Sequence, residues 1–288
     1  MPQRMTCEYF AIAGKILKVT ARQLQLETGA ALDDFRVAPQ QWDHELELRS
    51  VTALSAPEGE EIFADPSRRI YRNGDQVVRY HGPVEQGWES AMLRISRYGR
   101  HSDVEILLPP ERNLVTCAML LQAMEVTHFV TAAGGFLLHA AHICWEDQAI
   151  LFTAPSGVGK STQAELWQAY RHAEICNGDR AILMPREQGV LALGVPYGGS
   201  SGIAKKCKQK LSAIVYVQQA QQNSIRRLTG LEAFRHVWEG CSLDTWCRED
   251  VAACTDAVLQ TIEQVPVYLL GCTPDEGAVL ALEGVLKL

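Results

Sequence analysis

Apolar and polar residues change their spacing along this chain. From the start to about residue 110 the apolar runs are short and alternate with polar positions, as strands with one buried face require. EYFAIAGKILKV begins in this way and predicts a strand bent at Gly14. RRIYRNGDQVVRYHG predicts a hairpin turning at Asn73-Gly74, since a primed two-residue turn needs positive φ and Asn-Gly tolerates it. AMLRISRYGRHSDVEILLP predicts a second hairpin around Gly99. Pro109-Pro110 breaks the pattern, and helical spacing follows from about Glu111 to Val130, ended by Gly134-Gly135. The expected division is a β-rich N-terminal domain over 1–110 and a second domain over 111–288.

The second part mixes both periods. FLLHAAHIC (136–144) and AILFTA (149–154) predict two strands joined by the polar turn WEDQ. KSTQAELWQAYR then continues as a helix. RAILMPREQGVLALGVP predicts a hairpin turning near Gln188-Gly189, and LSAIVYVQQA a strand. Helices are expected over about 230–240 and 249–264, followed by the strand VPVYLLG. A closing helix is expected to be capped by Thr273, with Pro274 in its first turn. The fold class is therefore α/β of the α+β kind.

Composition narrows the function. Apolar residues make up 47% of the 288 positions, ample for a core and too many for a disordered chain. The 34 acids outnumber the 27 basic residues, which argues against a protein that coats nucleic acid. The longest apolar run, NLVTCAMLLQAMEVTHFVTAA, carries Gln122, Glu125 and His128 and reads as a buried helix, not a membrane span. No secretory leader is read at the start, so a cytoplasmic protein is expected. The nine cysteines contain no Cys-x-x-Cys pair and read as free thiols. Among them Cys241, Cys247 and Cys254 lack the tight spacing of metal ligands.

APSGVGKST, residues 154–162, carries the chemistry. It follows an apolar strand and opens a helix, close to the pattern Gly-x-x-x-x-Gly-Lys-Ser/Thr with Ala154 in place of the first glycine. Glycines let successive main-chain N–H groups converge on one anion, and the helix start adds its positive end. Ser156, Gly157, Val158, Gly159, Lys160, Ser161 and Thr162 are therefore the expected binding residues for nucleotide phosphates. Lys160 would reach the β- and γ-phosphates, and Ser161 would offer its hydroxyl to Mg²⁺.

Two further residues stand at suggestive distances. His139 lies 21 positions before Lys160 and Asp179 lies 19 after it. Taken alone, His139 between Leu137 and Ala141 reads as a buried strand histidine, and Asp179 as a turn residue before RAILM. His142 points to the opposite strand face and reads as structural. With these spacings, LLHAAHICWEDQAILFTAPSGVGKST…ICNGDRAIL resembles the HPr kinase/phosphorylase family, within the PEP-carboxykinase-like phosphate-loop group. The resemblance spans roughly 130–225. It implies a PEP-carboxykinase-like P-loop mixed sheet and a kinase that moves the γ-phosphate of ATP to a hydroxyl, usually a serine. It also implies that Asp179 accepts the hydroxyl proton or helps hold Mg²⁺, that His139 tunes this acid, and that Lys160 and Ser161 contact phosphate and metal.

The chain departs from that family in two ways. Asn177-Gly178-Asp179 offers one acid where the family often has adjacent aspartates, so phosphorolysis is not expected. The C-terminal signature of true HPr kinases is absent, so HPr is not the expected acceptor. The chain looks more like divergent HPr-kinase-like proteins associated with peptide modification. The expected partner is a peptide, protein or small-molecule hydroxyl acceptor, with no nucleic acid and no membrane; a homo-oligomer is left open. A nucleotide-dependent binding module without transfer is the non-enzymatic alternative. In PYGGSSGIAKKCKQK (196–210), Gly-Ser clusters predict a mobile loop. Lys205 or Lys206 would neutralise transferring charge, or would form a solvated charge run.

Overall fold

The computed structural model describes residues 5–109 and 111–286. They form two compact units, Met1–Val126 and Thr127–Leu288, so the contacts divide the chain sixteen residues later than position 110. No described helix is long and apolar enough to cross a membrane.

The first unit is built on β1 (Met5–Ile12), β2 (Lys15–Arg22), the two-residue β3 (Gln25–Leu26), α1 (Gly29–Asp33) and β4 (His44–Val51). It continues with β5 (Glu60–Asp65), β6 (Arg68–Asn73), β7 (Gln76–His81), β8 (Leu93–Tyr98), β9 (His101–Leu107), β10 (Leu114–Val115) and α2 (Cys117–Ala123). Eight strands make one sheet in the order β1-β2-β4-β9-β8-β7-β6-β5, while β3 and β10 pair separately. The expected bend at Gly14 is a full hairpin turn. Ala13 and Gly14 both take positive φ, 53° and 77°, and reverse the chain between β1 and β2. Hairpins also form at Gly74-Asp75 and Gly99-Arg100, with positive φ at each glycine.

The expected helix from Glu111 to Val130 is instead β10, α2 and α3 (Val126–Ala132). The break falls at Glu125, which takes φ 45°. Its buried carboxylate lies 2.7 Å from Arg79 Nε and 3.4 Å from Arg97 Nε, an ion-paired cluster. A buried carboxylate must find cations, and that requirement outweighs helix continuity.

After most of α3, the second unit continues with β11 (Phe136–Trp145) and β12 (Gln148–Thr153), joined by Glu146 and Asp147 at φ 49° and 60°. Then come α4 (Lys160–Arg171), β13 (Glu174–Asn177), β14 (Arg180–Arg186), β15 (Gly189–Leu193), β16 (Lys208–Gln219) and β17 (Ser224–Leu228). The chain ends through α5 (Gly230–Trp238), β18 (Cys241–Ser242), α6 (Arg248–Gln264), β19 (Val267–Cys272) and α7 (Glu276–Glu283). The nine-stranded sheet runs β12-β11-β14-β15-β16-β19-β17, and β12 also pairs in parallel with β16. Five strands thus close on themselves. Asp275, not Thr273, occupies the position before α7, without a side-chain capping hydrogen bond, and the Thr273 hydroxyl donates to its carboxylate at 2.7 Å.

Alternation along β11 sorts its residues onto two cores. Phe136, Leu138 and Ala140 pack with Val237 of α5 and Val258 of α6. Ala141 and Ile143 pack with Trp167 of α4 and Val279 of α7. Helices therefore cover both faces, a mixed α/β architecture. Trp167 is fully buried against Trp145 and Phe152. This packing holds α4, and hence the loop before it, against β11 and β12.

Candidate functional site

The loop Ala154–Gly159 leaves β12 and enters α4 directly. Its backbone explains its glycines. Gly157 takes φ 79° and Gly159 φ 127°, and an added Cβ would meet nothing within 4 Å at either position. The glycines are therefore required for conformation, not space. Among the described residues, the N–H groups of Gly157, Gly159, Lys160, Ser161 and Thr162 have no hydrogen-bond acceptor. Three of them open α4, where the helix start carries partial positive charge and no acidic side chain offsets it.

Lys160 folds back under this loop. Its Nζ donates to the carbonyls of Ala154 at 3.0 Å and Pro155 at 3.3 Å, and the residue is only 7% exposed. Burial pulls its pKa below the ordinary lysine value, an effect partly offset by the charge of Asp179. Among the described residues no carboxylate lies within ion-pair distance of Nζ. A desolvated ammonium held by carbonyls, with the Asp179 carboxylate acting on it only from beyond contact distance, leaves part of its positive field uncompensated. Ser156 and Ser161 are exposed, while Val158 and Thr162 are half-buried. Gly157, Val158, Gly159 and Thr162 line a cleft of about 400 Å³ together with Gln219 and Pro274.

His139 and Asp179 meet beside this loop. His139 lies on the α4 side of β11, and the Thr153 hydroxyl at the end of β12 donates to its carbonyl at 3.0 Å. Asp179 sits in the two-residue link between β13 and β14. Its Oδ1 is 3.3 Å from His139 Nε2, and its Oδ2 accepts from Arg180 Nε at 3.0 Å. Burial lowers the His139 pKa; the charge of Lys160 lowers it further, and the pull of Asp179 does not restore it. The imidazole therefore remains neutral near pH 7 although a carboxylate adjoins it.

Asn177 fixes the turn. Its Oδ1 accepts from the N–H groups of Asp179 at 2.8 Å and Arg180 at 2.9 Å. Its Nδ2 donates to the carbonyls of Val195 at 3.0 Å and Tyr197 at 2.9 Å. The amide is fully used and fully buried, so Asn177 positions the turn and has no free group for a ligand. Segment 198–202 lies against the same turn. A Cβ on Gly199 would stand 2.5 Å from the Asp179 Cβ, and one on Gly178 2.2 Å from the Ser201 hydroxyl. The expected mobile loop thus rests on the candidate acid. Lys205 pairs with Glu174 at 2.6 Å, half-exposed, and Lys206 is exposed.

Arg180 completes the group and was not singled out in the sequence. It bonds Asp179, donates to the Ser242 hydroxyl at 2.8 Å and stacks over Tyr197 at 5.6 Å. Its only sequence signal is adjacency to Asp179. For a divalent cation, Ser161 and Asp179 offer the hard oxygen donors that Mg²⁺ takes. Asp179 would do so by exchanging Arg180 for the ion.

No family model matches the chain, and no curated protein matches it. Among solved structures, the Hpr(Ser) kinase/phosphatase from Coxiella burnetii is similar over 52% of this chain and 87% of that chain. The identity is 11% and the TM-score 0.31.

Proposed function

We propose that the second unit is a PEP-carboxykinase-like P-loop domain. In this reading it is an ATP-dependent kinase that transfers the γ-phosphate to the hydroxyl of a serine in a peptide or protein. One observation carries the reading: a buried, carboxylate-free Lys160 and five main-chain N–H groups without acceptors stand together within residues 157–162, beside the His139–Asp179 pair. Such a concentration of donors suits a polyphosphate, and the adjoining acid suits a hydroxyl acceptor.

In the proposed reaction, residues 156–162 grip the phosphates of ATP. The acceptor oxygen forms a bond to the γ-phosphorus as the bond from phosphorus to the β–γ bridging oxygen breaks. That electron pair leaves with ADP, and the hydroxyl proton passes to the Asp179 carboxylate. Neutral His139 hydrogen-bonds Asp179 and shares the proton. Lys160 and Arg180 offset negative charge during transfer. Ser161 and Asp179 would hold Mg²⁺, which neutralises phosphate charge when bound. Segment 198–202 must leave Asp179 for an acceptor to enter.

Charge-assisted hydrogen bonds contribute about 1.5–3 kcal/mol, so Lys160→Ala should weaken ATP binding by one to two orders of magnitude. Asp179→Asn should lower turnover with little change in ATP affinity. Calorimetry with ATP, and labelled-phosphate transfer to serine peptides, measure the two effects. Unchanged transfer by Lys160→Met and Asp179→Asn would sink the scheme. ATP binding with no transfer to any hydroxyl would favour a nucleotide-dependent binding module.

A further inference from the structure

A second cluster lies on the opposite face of β11. His142 and Cys176 are fully buried and Cys207 is half-buried, and the ligating atoms of all three lie within 4.8 Å of one another. The sequence hides the group, because the residues are 34 and 31 positions apart.

Three backbone features assemble it. His142 pairs with Asn177 and Ile143 with Ile175, so Cys176 is the extra residue of a β-bulge. A bulge re-aims a side chain that regular pairing would turn away. Ala204 bridges Asn177, and the Lys205 N–H donates to the Cys176 carbonyl at 2.9 Å, which carries Cys207 alongside Cys176. The Gly194 N–H holds the Cys207 carbonyl at 3.0 Å, and a Cβ on Gly194 would strike the Lys205 carbonyl at 2.0 Å. Cys144, two residues beyond His142, projects from the same side of β11.

We propose that His142, Cys176 and Cys207 form a structural Zn²⁺ site, with Cys144, whose sulfur lies outside the 4.8 Å group, turning in as the fourth ligand. Soft thiolates and an imidazole in a small cluster select zinc among abundant ions. Zinc–sulfur and zinc–nitrogen bonds in a tetrahedron place sulfur and nitrogen about 3.6 Å apart; Cys207 Sγ and His142 Nδ1 are 3.8 Å apart. The second ring nitrogen, Nε2, is buried without a well-formed hydrogen bond and faces the Gln209 side chain, whose buried Oε1 likewise lacks one. A metal-bound imidazole donates its other N–H to such an oxygen. The ion would tie β11 and β13 to the segment entering β16. Those elements flank the Asp179 turn and segment 198–202.

The test uses the purified full-length chain, stripped by a chelator under reducing conditions and titrated with Co²⁺ and then Zn²⁺. The expected result is one equivalent bound, with thiolate-to-cobalt charge-transfer and tetrahedral ligand-field bands that Zn²⁺ abolishes. Loss of an outer-shell partner costs about 10- to 100-fold in metal affinity, so Cys207→Ser should lose at least about 100-fold. Cys7→Ser should lose none. Alkylation of the wild-type chain, read by peptide mass, avoids any folding defect: Zn²⁺ should protect Cys144, Cys176 and Cys207 but not Cys7. Labelling of Cys176 or Cys207 at the metal-free rate overturns the site. So does a Cys176–Cys207 disulfide found before stripping. A reactive Cys144 beside two protected thiols would reject it as the fourth ligand.

Discussion

His139 receives opposing influences from two neighbours. Burial and the Lys160 ammonium favour its neutral form, while Asp179 favours the charged one, and the first two prevail. Its folded pKa lies below the ordinary value of 6.5. The stability it contributes is therefore fully present above that value and is lost as pH falls from there through the folded pKa. Following the imidazole by NMR, Lys160→Met should raise the His139 pKa and Asp179→Asn should lower it. The reverse order would mean that the charges do not face one another as described. Asn177 shows why one acid stands here: its Nδ2 meets the carbonyls of Val195 and Tyr197, and a carboxylate there would oppose two acceptors.

Within the β12–loop–α4 element, the two glycines differ in strain. Gly157 at φ 79° lies near the left-handed region that other residues visit at about 1–2 kcal/mol. Gly159 at φ 127° and ψ 20° lies outside it. Gly159→Ala should therefore weaken ATP binding more than Gly157→Ala, although neither methyl meets an obstruction. Equal losses in the two variants, measured by calorimetry, would show that the helix start relaxes. The hairpin feeding this loop, the loop itself and α4 were legible in the sequence, because local periodicity and glycine spacing define them. The reversal at Ala13-Gly14 and the break at Glu125 were not. A non-glycine residue with positive φ carries no sequence mark.

Across the whole chain, each unit has its own sheet and core. In the first unit Glu125 meets Arg79 and Arg97 in a buried ion pair. Glu125→Gln removes the carboxylate and leaves the guanidinium groups in a poorly solvated place, which should cost about 3–5 kcal/mol. A denaturation midpoint lowered at unchanged slope checks this; an unchanged midpoint would place the pair outside the stability of the unit.

The sequence by itself determined the hairpins at Gly74 and Gly99, the strand–loop–helix unit around 154–162 and the candidates His139, Lys160 and Asp179, since each depends on spacing along the chain. Only the tertiary structure decided that His139 meets Asp179, that Arg180 joins them and that Asn177 is spent on the turn. It alone brought His142, Cys176 and Cys207 together. Those contacts arise where the β13 bulge, the ring of strands and segment 194–207 carry residues from distant positions to one place, and local periodicity holds no record of such meetings.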